Sequence, residues 1–225
     1  MKTTMIQKML LNNWKTVILG LIVFISTDLF AQEKEPSIPV EIMPGHNRYF
    51  FQMVLKRQFT PESKFGFFTV TTFTSTYENN SPENRITIPV QIDYEFGKGF
   101  SAFVGTRINS FAGLTPILGP KHTYVSRNIL AITLLSYYAN GKNEGQALGI
   151  YEFKPRLNDK WSIYTRLQFM YIRNFEENQH NRSYLYLRAG VRHGSLNFGI
   201  GANLDRFGPN KDLVENYGPF LRYDF

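Results

Sequence analysis

Residues 161–174, WSIYTRLQFMYIRN, alternate between two kinds of side chain. One series is apolar and carries aromatic rings near both ends: Trp161, Ile163, Thr165, Leu167, Phe169 and Tyr171. The intervening series contains Ser162, Tyr164, Arg166, Gln168 and Asn174. Because successive side chains of a strand point to opposite faces, this period of two predicts a strand with one apolar and one polar face.

The same alternation recurs in residues 85–96, 195–205 and the final segment up to Phe225. A soluble β-sandwich also has alternating strands. These segments are longer than the ~5–6 residues usual in globular domains. Their apolar faces end in aromatic residues and their opposite faces carry charges, as in membrane-spanning barrels with a polar interior. The pattern therefore favours an all-β, antiparallel, up-and-down transmembrane β-barrel.

The first 31 residues have the build of a secretory signal peptide. Lys2, Lys8 and Lys15 precede the apolar run 17–25, and the segment ends in the small residue Ala31. The alternative, an N-terminal membrane anchor, is disfavoured because the apolar run is short and Asp28 follows it. The net charge of +7 falls to +5 without this segment, a mild balance that does not imply nucleic acid.

Composition adds two constraints. The chain has no cysteine, which excludes a lipid-modified cysteine anchor, a disulfide, a thiolate metal site and a cysteine nucleophile. Aromatic residues make up 16% of the chain although the mean hydropathy is only −0.27. Many aromatic residues at average polarity are typical of strand-rich proteins.

The C-terminal residues Leu221, Tyr223 and Phe225 share one face of the last predicted strand. This arrangement resembles the terminal aromatic signature by which bacterial outer-membrane barrels are recognised by their assembly machinery. The Phe-Ala-Gln junction at residues 30–32 resembles signal-peptide ends of Bacteroidota. The resemblance implies a Bacteroidota-type outer-membrane protein, with outer-membrane lipid and the barrel assembly machinery as partners.

The predicted strand count is ten to twelve, with twelve favoured. Eleven segments alternate, whereas bacterial single-chain barrels have an even number of strands. A twelfth strand could come from residues 36–45; alternatively, 117–138 is one element and the barrel has ten. Short and long links alternate along the chain, which favours twelve. The domain prediction is a signal peptide at 1–31, a proline-bearing periplasmic lead-in at 32–45 and a barrel at 46–225.

Charged residues of both signs are predicted on the inward faces. Since an ion in a narrow lumen is costly unless paired, we expect opposite charges on neighbouring strands to pair. The predicted lumen charges are Asp93, Glu95, Arg107, Glu152, Lys154, Arg156, Arg166, Arg188, Arg192, Asp205, Arg222 and Asp224.

Residues 191–200, VRHGSLNFGI, contain a His-x-Ser pair. The stretch resembles the lipid A 3-O-deacylase family, and the resemblance would assign His193, Ser195, Asn197 and Glu215 to a hydrolytic site. However, the side-chain parity changes at Gly194, which predicts a tight hairpin between two strands. We therefore expect no catalytic residue, no metal site and no cofactor.

The sequence predicts an integral outer-membrane barrel with a structural or partner-interaction role in the envelope and a lumen filled by charged side chains. The alternative is a narrow channel for small, preferentially anionic solutes, and the third reading is a lipid acyl hydrolase. No nucleic-acid partner is expected.

Overall fold

Twelve antiparallel strands close into a barrel. The structure is a computed structural model that describes residues 36–78 and 84–225; the predicted signal peptide lies outside them. Every strand pairs with its sequence neighbours, and β1 pairs with β12. The predicted closed all-β barrel is confirmed, with the favoured count of twelve. The strands are β1 (Pro39–Pro44), β2 (Arg48–Gln58), β3 (Phe65–Thr76), β4 (Arg85–Gly97), β5 (Phe100–Asn109), β6 (Gly113–Val125), β7 (Ile129–Tyr138), β8 (Glu144–Phe153), β9 (Trp161–Asn174), β10 (Gln179–His193), β11 (Leu196–Phe207) and β12 (Asp212–Asp224).

The first strand corrects the predicted domain boundary. β1 lies within the stretch 32–45 predicted as a lead-in, so the barrel begins before residue 46. It pairs with β12 over Pro39–Ile42 and with β2 over Val40–Pro44. Prolines are depleted in strand interiors, which makes this stretch resemble a loop, but here they occupy the two ends of the strand. Backbone hydrogen bonds of 3.0 and 3.1 Å between Ile38 and Phe225 extend the pairing of β1 with β12.

The links between strands divide into two ends of the barrel. We call the end that holds Pro39 and Phe225 the terminal rim; it carries links 59–64, 98–99, 126–128, 154–160 and 194–195. The opposite end is the loop rim, with links 45–47, 77–84, 110–112, 139–143, 175–178 and 208–211. The predicted alternation of short links at one rim with long links at the other is wrong. Link 154–160 at the terminal rim is longer than link 110–112 at the loop rim. Several strands continue beyond their apolar segments into polar sequence that resembles a loop.

The predicted hairpin at Gly194 is present. β10 ends at His193 and β11 begins at Leu196. Gly194 has φ of 59°, a left-handed conformation that L side chains adopt only with strain. The parity change in the sequence therefore reports a turn at the terminal rim.

The outer face of the barrel is an apolar belt. Its exposed side chains include Val104, Leu118, Leu135 and Ile200. Exposed aromatic rings lie near the strand ends at both rims, as in membrane-spanning barrels: Tyr49, Tyr77, Phe111 and Phe175 at the loop rim, and Phe65, Phe96, Phe100, Trp161 and Phe225 at the terminal rim. Across the described ranges, no helix has the length and apolar character needed to cross a bilayer, a finding that concerns helices only.

The interior is divided into an apolar half and a polar half. Most of the buried apolar cluster lies on β3 and β5–β9, including Phe68, Phe103, Ile132, Leu148 and Met170. Five further members come from the other strands: Met43, Phe50, Tyr184, Tyr186 and Phe220. The remaining wall carries buried charged and amide side chains, mainly from β1, β2 and β8–β12: Glu41, Gln52, Glu152, Arg166, Gln168, Arg188, Asn197, Asn203, Asn216 and Arg222. The candidate site lies on this polar wall.

Candidate functional site: the barrel lumen

Two arginines and one glutamate meet at the centre of the polar wall. Arg166 on β9 lies directly opposite Arg188 on β10, an unfavourable pairing of like charges. Glu41 on β1 compensates it: Arg166 Nη2 lies 2.7 Å and Arg188 Nε 2.9 Å from Glu41 Oε1. Arg188 Nη1 also donates to Asn203 Oδ1 at 2.8 Å. We call Glu41, Arg166 and Arg188 the central cluster.

A second network joins β8 to β12 nearer the terminal rim. Arg222 pairs with Glu152 and donates from Nε to Asp224 Oδ1 at 2.7 Å. Its Nη1 also donates to the hydroxyl of Tyr164 at 2.6 Å. Lys154 Nζ lies 3.0 Å from the other oxygen of Glu152. The five groups connect β12 with β8 and β9 on the inner side of the wall.

Near the loop rim, Asp205 on β11 is the shared acceptor. Arg182 Nη2 lies 2.8 Å from Asp205 Oδ1, and the Tyr186 hydroxyl donates to the same carboxylate at 3.2 Å. The Tyr184 and Tyr186 rings stack with centroids 4.1 Å apart. The Tyr184 hydroxyl accepts from Gln168 Nε2 at 3.0 Å, which connects this group to the middle of the lumen.

On the apolar half, one buried ion pair interrupts the hydrophobic cluster. Lys121 on β6 pairs with Asp93 on β4. The Lys121 ammonium also lies 4.4 Å from the centroid of the Phe68 ring, a distance suited to cation–π attraction. The apolar half therefore also keeps its buried charges paired.

Side chains fill most of the lumen. A cavity of about 40 Å³ lies among Phe68, Ile117, Leu134, Met170 and Tyr184, and one of about 20 Å³ lies beside Lys56, Asp93 and Lys121. Such volumes hold one or a few water molecules. In the described conformation the ion pairs and the apolar cluster together narrow the path between the rims.

The twelve predicted lumen charges lie at three degrees of burial. Asp93, Glu152, Arg166, Arg188, Asp205, Arg222 and Asp224 are buried on inward faces. Glu95, Arg107, Lys154 and Arg192 are half-buried toward the rims. Arg156 is exposed beyond the end of β8, where its backbone forms an isolated bridge with Ser162.

The predicted list of lumen charges omits eight inward side chains of the described ranges, and three of the eight belong to the ion-paired networks described above: Glu41, Lys121 and Arg182. Glu41 lies in the proline-bearing stretch predicted as a lead-in, Lys121 follows Gly119 and Pro120, and Arg182 lies in the polar stretch 176–183. Of these three, only Glu41 lies in a pattern that indicates a strand, since Glu41 and Met43 alternate with Val40 and Ile42.

The other predicted residues lie apart from the lumen network. Leu221, Tyr223 and Phe225 are exposed on the outer face, and the Tyr223 and Phe225 rings are 4.7 Å apart. His193 is exposed at the terminal rim with its ring 4.7 Å from Trp161, whereas Asn197 is fully buried in the lumen. The His193, Ser195 and Asn197 side chains are therefore not brought together. No group of three or more His, Asp or Glu side chains in residues 36–78 and 84–225 is arranged to hold a metal ion.

Comparisons with known proteins concern the fold. No protein-family model and no curated protein sequence matches the chain. The KdgM porin is 11% identical, with 84% of this chain and 99% of that chain covered and a TM-score of 0.48. The NanC porin is 9% identical, with 84% and 98% covered and a TM-score of 0.46. LpxR from Salmonella typhimurium is 6% identical, with 84% and 100% covered and a TM-score of 0.44.

At identities of 6–11% these are similarities of fold alone. The closed ladder, the apolar belt and the aromatic strand ends agree with the sequence pattern. The chain has the fold of an outer-membrane β-barrel with twelve antiparallel strands.

Proposed function

We propose that this barrel is a narrow channel with a preference for anions, held closed at mid-height by its own ion pairs. The observation that carries the proposal is the distribution of charge along the lumen. Within residues 36–78 and 84–225, positive side chains at inward positions outnumber negative ones. The positive ones are Arg48, Lys56, Arg85, Arg107, Lys121, Lys154, Arg166, Arg182, Arg188, Arg192 and Arg222, and the negative ones are Glu41, Asp93, Glu95, Glu144, Glu152, Asp205, Asp212 and Asp224.

The surplus lies toward the two rims. Among fully buried side chains the signs nearly balance, since each buried cation has a carboxylate partner. The half-buried Arg85 and Arg107 lie near the loop rim, and Lys56 and Arg192 lie near the terminal rim. Against seven half-buried inward cations in the described part of the chain, three carboxylates lie toward the rims: Glu95 at the terminal rim, and Glu144 and Asp212 at the loop rim. An excess of one sign of charge between low-dielectric walls concentrates ions of the opposite sign. Both entrances therefore favour anions.

Conduction requires the central cluster to rearrange. Glu41 lies on β1, a strand of 6 residues whose ladder with β12 covers Pro39–Ile42. A shift of this strand would withdraw one carboxylate from two arginines. We expect low conductance with rare openings rather than a wide, permanently open pore.

Planar bilayer recordings test the proposal. In a KCl gradient, the wild-type protein is expected to show a reversal potential of the sign set by chloride. The Lys56→Glu/Arg192→Glu variant should move that reversal potential toward the equilibrium potential of potassium. Lys160→Glu, an exposed residue of the 154–160 link at the same rim, is the matched control and should leave it unchanged. A cation-selective current, or equal effects of both variants, would contradict the proposal.

A second candidate function is a closed barrel with a structural or partner-binding role in the envelope. The small cavities of about 40 and 20 Å³ favour it. It predicts no current from wild-type protein under any applied voltage, and recovery of a stable envelope complex when the protein is purified in mild detergent. Recovery of the barrel alone, together with a measurable current, would exclude it.

A further inference from the structure

A histidine and a serine form a hydrogen-bonded pair on the membrane-facing surface near the loop rim. His180 Nε2 lies 3.0 Å from Ser183 Oγ, and His180 Nδ1 lies 2.7 Å from the carbonyl oxygen of Gly208. His180 is buried, and Ser183 is half-buried. A register shift between His180 and Arg182 places the histidine on the same outer face as the serine. We call His180 and Ser183 the outer dyad.

The geometry fixes which ring nitrogen carries the proton. A carbonyl oxygen can only accept a hydrogen bond, so the contact with Gly208 requires a proton on Nδ1. In neutral imidazole, Nε2 then has a lone pair and accepts the hydroxyl proton of Ser183. A serine nucleophile that is hydrogen-bonded to a base, with the base oriented by a third group, is the arrangement that activates serine for acyl transfer.

The outer dyad lies where the apolar belt ends. Along β10 the outward series runs from Leu187 and Leu185 to Ser183. On the neighbouring strands, Tyr171 and Arg206 lie directly opposite Ser183. Ser183 is therefore the first polar side chain above the hydrocarbon level on its strand. In a bilayer this boundary is where the acyl esters of lipids lie, between the acyl chains and the headgroups.

Two arginines flank the dyad on the headgroup side. Arg206 on β11 is exposed and lies opposite Ser183, and Arg173 on β9 lies opposite His180. Because the side chains before them on both strands are apolar or aromatic, these cations mark the start of the headgroup region. Guanidinium groups in that position suit a phosphate.

We propose that Ser183 and His180 hydrolyse an acyl ester of a membrane lipid whose headgroup bears phosphate. The proposal is independent of conduction through the lumen, and it departs from the sequence-based expectation that the chain has no catalytic residue. It also differs from the His193 and Ser195 pair singled out in the sequence, which lies at the opposite rim.

The chemistry needs only the lipid and water. Ser183 Oγ attacks the ester carbonyl carbon while His180 Nε2 takes its proton, and the ester C–O bond breaks as His180 returns that proton to the leaving alcohol. Water then attacks the acyl-serine, giving its proton to His180, which passes it to Ser183 Oγ. The products are a free fatty acid and the deacylated lipid.

A fluorophosphonate probe tests the nucleophile directly. Reaction of the folded, full-length barrel in detergent micelles is expected to modify Ser183, read by mass spectrometry of its peptides. Ser183→Ala should lose the label, and His180→Gln should slow labelling by ~10²–10⁴-fold because the base is removed. Ser195→Ala is the matched control, since Ser195 also follows a histidine by a few residues but has no such bond.

Lipid vesicles test the substrate. Release of fatty acid is expected from phosphatidylglycerol vesicles or from vesicles containing phosphorylated lipid A, and which of the two reacts identifies the source of the ester. Ser183→Ala should abolish release, and Ser195→Ala should not. Retention of the heat-dependent gel shift typical of a folded barrel shows that each variant is intact. Absence of Ser183 labelling in the folded wild type, or equal release by wild type and Ser183→Ala, would overturn the proposal.

Discussion

Replacing Glu41 by glutamine tests whether the central cluster stabilises the barrel as a charge-compensated unit. Glu41 is 1% exposed, and the side chains of Arg166 and Arg188 are 2% and 0% exposed. The replacement keeps the shape of the side chain but leaves the guanidinium groups of Arg166 and Arg188 buried without the negative charge of Glu41. Breaking a buried ion pair in this way costs about 3–5 kcal/mol. We expect a loss of that size in the free energy of unfolding, measured by urea titration in lipid vesicles with Trp161 fluorescence.

The control is Asp212→Asn, which removes a carboxylate that faces the lumen but is exposed at the loop rim. It should cost less than about 1 kcal/mol, as exposed charges do. Combining Glu41→Gln with Arg188→Met removes one surplus cation, so the double variant should be less destabilised than the sum of the two single changes. The reasoning is refuted if Glu41→Gln and Asp212→Asn have equal effects.

Three further outcomes are expected. Gly199→Ala should destabilise the barrel by ~1–3 kcal/mol, seen as a lower urea midpoint, because the added Cβ would lie 2.2 Å from the carbonyl oxygen of Ala189; an unchanged midpoint would contradict this. Tyr186→Phe removes the hydroxyl bonded to Asp205 and should cost ~1 kcal/mol in the same titration, whereas a stabilised variant would argue against the bond. Deleting Phe225 should reduce the amount of heat-modifiable barrel in the outer membrane, and an undiminished amount would count against an assembly signal.

Parts of the fold were predictable where the two faces of a strand differ. On β9 and β11 the outward residues are mainly apolar and many inward ones are polar, so alternation alone assigns Arg166 to the lumen. On β7 and β8 both faces are apolar, because Leu134 and Leu148 belong to the buried cluster inside the barrel. Alternation fades there, which is why 117–138 could also be read as one element.

The parts of the site that were not predictable depend on pairing between distant strands. Glu41 reaches Arg166 only because the barrel closes through β1, a contact between residues far apart in sequence. The outer dyad depends on the register shift after His180, which changes the side-chain parity within β10. Neither the closing partner nor the irregularity has a local sequence signal.

The seam between β1 and β12 brings the two ends of the described barrel into direct contact, since Ile38 and Phe225 exchange backbone hydrogen bonds. The order of strands around the barrel therefore has no fixed starting point in space. A circular permutant that carries β1 after β12 through a short Gly/Ser linker, and starts at β2, should form the same ladder. Its short link would join the two ends of the described barrel at the terminal rim, and the ends of the permuted barrel would lie in the 45–47 link at the opposite rim.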